Sequence, residues 1–217
     1  MAVLKNGANG SFKGKVGSVV GYEWKGISVI RGLPRVNKKR QPSVLELANR
    51  QKMSLVQSFL QQAIPFLRLG FSLEARMRNI SAFNAAMSYN KKNAIKGEYP
   101  ELSIDFHQVL LAKGDLIKPI DARATLTAAG VKFEWDAGPW RTNASVRTML
   151  FITSFEYQAL GAMMLGGVSA KVGEEVLAFG CAGEAIPKQT KIHAFMAFVT
   201  SMHDAISDSV YCGTIEV

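Results

Sequence analysis

Residues 123–136, RATLTAAGVKFEWD, decide the fold class because apolar and polar side chains alternate along them. Val131, Phe133 and Trp135 alternate with charged residues, which is the pattern of a β-strand with one buried face. Residues 123–128 show the same alternation one segment earlier. Outward from this pair, five further segments fit short strands: 102–107, 146–155, 173–179, 191–200 and 208–217.

Seven short strands separated by turn residues, with no helical pattern between them, predict an antiparallel β-sandwich of immunoglobulin or fibronectin III-like kind. Strand 191–200 carries Phe195, Met196 and Phe198, and we interpret it as an exposed contact surface. The Cys–Trp–Cys spacing of antibody domains is missing. The similarity to immunoglobulin domains therefore concerns architecture alone.

The first part of the chain is predicted to contain a β-hairpin. Residues 15–33, KVGSVVGYEWKGISVIRGL, hold two runs rich in β-branched and aromatic residues. Lys25 and Gly26 stand between the runs, and a glycine beside a polar residue at that point indicates a tight hairpin turn. Trp24 alternates with apolar neighbours, so we interpret it as a core residue.

Two helices are predicted after the hairpin. Ser43 and Glu46 have capping-box spacing and open a helix over about 44–64, which Pro65 ends or kinks. A second helix is expected over about 81–95, and the segment between the helices is expected to pack in the core. The chain is therefore predicted to be α+β, with a basic hairpin-plus-helix module over 1–98 and a sandwich over 99–217.

Charge is divided unevenly along the sequence. Residues 1–100 hold 17 Lys/Arg and 4 Asp/Glu, whereas residues 101–217 hold 9 and 13, so the two parts carry +13 and −4. Opposite signs suggest an anionic partner for the first part, or head-to-tail contact between copies of the chain. A solvated basic surface that favours solubility is the alternative. The candidate partner-binding residues are Arg31, Arg35, Lys38, Lys39 and Arg40.

Several segments together resemble a known family. They are the opening LKNG and GKVGSVVGYEWKGISVIRGLP, the segment ANRQKM in the first helix, LGF after it, and the ending AFVTSMHDAISDSVYCGTIEV. The chain resembles a Bacteroidota family of uncharacterised proteins of about this length, over nearly its whole extent. The resemblance implies a complete two-part protein and adds no catalytic or binding residue.

The motifs of known cofactor and metal sites are incomplete in this sequence. Residues 10–16, GSFKGKV, are one residue short of a phosphate-binding loop and end in valine where a hydroxyl is needed. His107, His193 and His203 are too far apart in sequence for a zinc motif, and we interpret them as exposed or hydrogen-bonded side chains. We expect no cofactor and no metal.

Candidate nucleophiles and carboxylates fit structural roles better than catalytic ones. Cys181 and Cys212 have no nearby histidine and are interpreted as small buried or partly exposed thiols. No GxSxG motif is present. The acidic pairs Glu174–Glu175 and Asp204 with Asp208 lie at predicted strand edges or turns, where carboxylates cap turns and protect edges. We therefore predict that the protein is not an enzyme.

Two functions remain open. The first is a non-catalytic structural or adhesive assembly subunit that contacts another copy or a protein scaffold. The second is nucleic-acid binding by the basic part, with Tyr22 and Trp24 as stacking platforms. No apolar run reaches the roughly 20 residues of a membrane span and no signal peptide is evident, so we expect a cytoplasmic protein unless it is exported otherwise or belongs to a particle.

Overall fold

The computed structural model describes residues 3–4, 10–33, 40–155, 160–179 and 190–216. Contacts along the backbone divide the chain into two compact units, Met1–Ser43 and Val44–Val217, called unit 1 and unit 2 below. Unit 1 is a sheet, and unit 2 holds the helices and all later strands. The boundary expected between residues 98 and 99 lies inside unit 2.

Unit 1 is an antiparallel sheet in which the strands follow one another in chain order. Its strands are β1 (Val3–Leu4), β2 (Phe12–Val16), β3 (Val19–Trp24) and β4 (Ile27–Gly32). The predicted hairpin is confirmed. Lys25 and Gly26 have φ angles of 48° and 77°, because a two-residue turn between strands of right-handed twist requires positive φ at both positions.

Unit 2 begins with four helices. They are α1 (Val44–Gln62), α2 (Ile64–Gly70), α3 (Ser72–Met77) and α4 (Ala82–Asn93), and α4 packs against each of the other three. The two predicted helices are confirmed, whereas α2 and α3 were not predicted as helices. The hydroxyl of Ser81 accepts a hydrogen bond from the amide of Asn84 at 3.1 Å, which fixes the start of α4.

The remaining strands form one short pair and two larger antiparallel sheets. The pair is β5 (Ile95–Lys96) with β6 (Ser103–Ile104). The first sheet has three strands in the order β11-β8-β7, and the second has four in the order β10-β9-β12-β13. Their bounds are β7 (Arg123–Thr127), β8 (Gly130–Glu134), β9 (Val146–Thr153), β10 (Gly161–Ser169), β11 (Glu174–Leu177), β12 (Lys191–Thr200) and β13 (Val210–Glu216).

The four-stranded sheet is the middle layer of unit 2. Along β9, Met149 and Phe151 join a core made with the helices, whereas Leu150 and Ile152 join a second core made with the three-stranded sheet. Strand β12 does the same with Phe195 on one side and Met196 on the other. Side chains of a strand alternate between the two faces of a sheet, so both faces of this one are covered.

This burial corrects the interpretation of strand 191–200 as an exposed contact surface. Phe195, Met196 and Phe198 are all fully buried, because the helices cover one face of the sheet and the three-stranded sheet covers the other. It also explains why the expected 98/99 boundary does not separate two cores. Phe59 of α1 contacts Phe195 of β12 with ring centroids 6.1 Å apart, so the two sides of that boundary share one core.

Two further strand predictions differ from the structure. Residues 102–107 contribute only Ser103–Ile104 to a strand, and Phe106–Gln108 form a 3-10 turn because the Asp105 carboxylate accepts the His107 amide. Residues 161–169 form β10, an edge strand absent from the prediction. Its GAMMLGGVS sequence has no alternation of polar and apolar side chains and contains three glycines.

Candidate functional site

One face of the unit 1 sheet is set by the register of its hairpins. Trp24 is opposite Ile27, Tyr22 is opposite Val29, and Val20 is opposite Arg31 and, on the other side, Lys15. Residues directly opposite each other in an antiparallel pair project from the same face. We call this surface the Tyr22 face, and its members are Lys15, Val20, Tyr22, Trp24, Ile27, Val29 and Arg31.

Aromatic side chains are exposed on the Tyr22 face. Tyr22 is 41% exposed and Trp24 is 42% exposed, whereas Trp135 and Trp140 in unit 2 are 6% and 5% exposed. The interpretation of Trp24 as a core residue is therefore wrong. The Lys25 ammonium lies over the Trp24 ring, 5.6 Å from its centroid, within reach of a cation–π interaction.

A concave site of about 240 Å³ lies beside Tyr22. Val20, Tyr22 and Leu33 give it an apolar lining, and Gly32 and Arg31 complete it. None of the described residues that line this site is acidic. The site therefore combines an aromatic surface, an aliphatic surface and a guanidinium, which suits a planar group that carries a negative charge.

The opposite side of the same sheet, which we call the Ile30 face, is also apolar. Gly21 is buried there because the Phe12 ring covers it, and a Cβ at this position would lie 2.7 Å from that ring. Ile30, on the same face, is 64% exposed. Val16 is exposed on the same face. Both faces of this sheet thus present apolar side chains.

Nearly all of the net charge belongs to unit 1. Residues 1–43 contain nine Lys/Arg and one acid, Glu23, so they carry +8 of the chain's +9. Glu23 pairs with Lys13, with Nζ and Oε2 2.6 Å apart. The remaining 174 residues carry +1. Within unit 2, residues 44–100 carry +5 and residues 101–217 carry −4, so the sign of the charge still changes near residue 100.

The sequence-predicted cations fall in different places. Arg31 lies on the Tyr22 face at the end of β4, and Arg40 lies in the exposed segment before α1. Arg35, Lys38 and Lys39 lie outside the described residues. Among the predicted cations that the structure describes, Arg31 is therefore the one placed at the concave site. Tyr22 and Trp24, which the sequence suggested as stacking platforms, share its face.

The histidines do not form a common site. His193 is buried in β12, where its Nδ1 lies 2.9 Å from the Tyr211 hydroxyl. Burial, together with the charge of Lys191, lowers the pKa of His193 to about 4. His107 lies in the 3-10 turn and not in a strand, and its ring packs edge-on against the ring of Tyr211. His203 lies in an exposed turn. His193 therefore serves as a neutral, hydrogen-bonded core residue.

The acidic pairs are engaged in structural contacts. Glu175 joins the two larger sheets, because its carboxylate accepts hydrogen bonds from the Thr148 hydroxyl and, at 2.9 Å, from the Val168 amide. Glu174 pairs with Lys132, with Oε2 and Nζ 2.7 Å apart. Asp208 accepts the Gly114 amide at 3.1 Å. These carboxylates hold backbone and sheets together.

The described cysteine is a buried thiol. Cys212 lies in β13, and desolvation raises its pKa to about 12, so it stays protonated and unreactive near neutral pH. Cys181 lies outside the described residues. Within the described ranges, no group of three or more His, Cys, Asp or Glu side chains is close enough together to hold a metal ion.

Comparison with known proteins gives one family. A model described as a family of unknown function, DUF6266, matches residues 11–213. The chain belongs to this family. The DUF6266 match confirms the resemblance to an uncharacterised family over nearly the whole sequence. No curated protein and no solved structure matches the chain.

The DUF6266 match includes the whole Tyr22 face and both large sheets of unit 2 except the last three residues of β13. The candidate site is therefore part of the family's own domain. No described helix has both the length and the apolar character to span a bilayer.

Proposed function

We propose that the protein is a non-catalytic assembly subunit. Unit 1 of one copy docks on the strand region of another copy, which comprises residues 101–217. The observation that carries the proposal is the uncovered apolar surface of unit 1. Gly21 is the only residue buried within the described range 10–33. A sheet of this size needs a covered hydrophobic face for stability, and a protein partner provides one.

Ile30 and Val16 supply the apolar part of the contact. Fully burying an aliphatic side chain stabilises a complex by about 1.5–3 kcal/mol. Contiguous exposed apolar groups on a small unit are typical of interaction surfaces. The Ile30 face thus favours burial against another protein.

Charge favours a second copy as that protein. Unit 1 carries +8 and residues 101–217 carry −4, so a head-to-tail contact brings opposite charges together. A contact between two copies of unit 1 brings like charges together and is disfavoured. Head-to-tail contacts generate rings or filaments, depending on whether the rotation between copies closes.

The non-catalytic part of the proposal is supported by the side chains that the sequence marked as candidates. Glu175, Asp208 and His193 are engaged in internal hydrogen bonds, and Cys212 is a buried thiol. None of these four groups lines the concave site beside Tyr22. These side chains accordingly serve the internal structure of unit 2.

We also propose that the two large sheets form a sandwich of fibronectin III-like type. In chain order, the first, second and fifth of seven strands form one sheet, and the third, fourth, sixth and seventh form the other. In immunoglobulin constant domains the fourth strand lies in the sheet of the first, second and fifth. Here β10 pairs with β9, which supports the fibronectin-like variant of this architecture.

Sedimentation velocity tests the assembly proposal. The full chain is expected to associate at about 50 mM salt and to dissociate near 1 M, because the Debye length falls from above 10 Å to about 3 Å. The Ile30→Asp variant is expected to be monomeric at both salt concentrations. Leu45→Asp is the control, since Leu45 is exposed in the first turn of α1 and belongs neither to the Ile30 face nor to residues 101–217. A wild-type chain that stays monomeric at low salt across concentrations would contradict the proposal.

A further inference from the structure

We infer that the Tyr22 face binds single-stranded nucleic acid, with bases stacked on Tyr22 and Trp24 and phosphates paired with Arg31 and Lys15. This goes beyond the assembly proposal, which uses the Ile30 face on the other side of the sheet. The two inferences therefore depend on different side chains. Each can fail without the other.

The aromatic pair has the spacing that stacking requires. Tyr22 and Trp24 are two positions apart on β3, which is about 6.6–6.8 Å along a strand. Both project from one face and both are exposed, so neighbouring bases can lie on neighbouring rings. Stacking on aromatic side chains tolerates any base because every base has a π-face.

Two cations flank Val20, the residue next to Tyr22 on this face, at one end of the aromatic row. The strand order β2-β3-β4 places Lys15 on one side of β3 and Arg31 on the other, both opposite Val20. A backbone that follows the aromatic row thus passes between two positive charges. Across residues 1–43 the formal charge of +8 adds attraction for a polyanion.

The concave site gives one base a defined position. Its volume of about 240 Å³ is bounded by the Tyr22 ring and the aliphatic side chains of Val20 and Leu33. Arg31 completes the lining, where a guanidinium can bind a phosphate with two parallel hydrogen bonds. Aromatic, aliphatic and cationic groups together match a nucleotide.

Single strands fit this surface better than duplexes or acidic proteins. The bases of a duplex are stacked on one another and present only their edges in the grooves. An acidic protein segment supplies negative charge, but no row of flat rings to cover Tyr22 and Trp24. The combination of exposed rings and flanking cations favours an unpaired polynucleotide.

The test uses the full chain and a fluorescein-labelled dT12 oligonucleotide, followed by anisotropy at about 50 mM salt. Unlabelled dT12 is also expected to quench tryptophan fluorescence, because Trp24 is exposed whereas Trp135 and Trp140 are buried. The binding constant should fall with salt at a slope of about −0.7 per phosphate contacted. A 12-bp duplex and poly-glutamate are the competing probes.

Substitutions on the Tyr22 face test whether dT12 binds there. Tyr22→Ala and Trp24→Ala are each expected to weaken dT12 binding about 5- to 150-fold, since base stacking on an aromatic residue contributes about 1–3 kcal/mol. Tyr22→Phe keeps the ring and should bind like wild type. Arg31→Gln should reduce the salt slope by about 0.7. Leu45→Ser is the control at an exposed position of α1, outside both faces of unit 1, and should leave binding unchanged.

Three outcomes overturn the inference. The first is no binding of dT12 at low salt. The second is equal binding by wild type and the Tyr22→Ala and Trp24→Ala variants. The third is equal or tighter binding of poly-glutamate or of the duplex. If Ile30→Asp abolishes association while dT12 fails to bind wild type, the assembly proposal stands and this inference alone falls.

Discussion

The Phe106 ring stacks on the imidazole of His193, with ring centroids 3.6 Å apart and planes inclined by 19°. This contact joins the 3-10 turn after β6 to strand β12. Tyr211 and Thr214 of β13 lie on the imidazole Nδ1, at 2.9 and 3.5 Å. His193 is therefore enclosed on several sides by groups that accommodate its neutral form.

Acid should destabilise the protein through His193. The pKa of this residue is about 4 in the folded protein and about 6.5 in an unfolded chain, so the unfolded chain binds the proton first. Stability is expected to fall by about 2–3 kcal/mol as the pH is lowered from 6.5 to 4. Urea unfolding across this range measures it. His203→Asn should keep this pH dependence of stability. The same pH dependence in His193→Gln would contradict its assignment to His193.

Glu175 and its neighbour Glu174 should differ sharply on substitution. Glu175→Ala leaves the Val168 amide without its acceptor and removes one of the two acceptors of the Thr148 hydroxyl, so we expect a loss of about 1–3 kcal/mol. Glu174→Ala removes an exposed ion pair with Lys132 and should cost under about 1 kcal/mol. Thermal and urea unfolding of the two variants provide the comparison. Equal losses would show that Glu175 does not join the sheets as described.

Asn90 should be the most sensitive polar residue of α4. Its buried amide donates to the Leu110 carbonyl at 2.8 Å and accepts the Leu110 amide at 2.9 Å. Asn90→Ala leaves both Leu110 groups unpaired, and we expect a loss of about 2–4 kcal/mol in the free energy of unfolding. Asn93→Ala, on the exposed side of the same helix, is the control and should stay within about 0.5 kcal/mol.

Limited trypsin digestion should separate the two units. Cleavage is expected first between residues 34 and 43, at Arg35, Lys38, Lys39 or Arg40, which leaves a fragment that begins between residues 36 and 41 and holds the helices together with the later strands. Mass spectrometry identifies the fragments. A stable fragment that begins near residue 99 would contradict the shared core of helices and strands, and would support the boundary expected from the sequence.

Local patterns in the sequence predicted the parts of the fold that local chemistry determines. Lys25 and Gly26 marked the hairpin turn, Ser43 with Glu46 marked the start of α1, and alternation around Phe133 marked β8. Helices α2 and α3 were not predicted, because Pro65 indicated the end or a kink of the first helix. Here tertiary contacts bury Phe66 and Leu67, and that burial outweighs the local signals.

Local patterns do not show which distant elements pack over each face of a strand. Strand β12 is apolar at nearly every position because both of its faces are covered, yet a continuous apolar run does not show how many layers surround it. Trp24 presented the opposite problem. Its neighbours alternate as in a buried strand, but no described part of unit 1 covers that face. The candidate site was therefore found only in part, through Tyr22, Trp24 and Arg31.

The doubly covered middle sheet has a consequence for how the chain is made. The ribosome releases residues 44–93, which form the helices, before β9 and β12 emerge. The sheet face that carries Met149, Phe151 and Phe195 can therefore pack against helices that are already synthesised as soon as the strands pair. A circular permutant that places the strands first reverses this sequence of events. It would leave that apolar side bare during synthesis, open to chaperones and to aggregation.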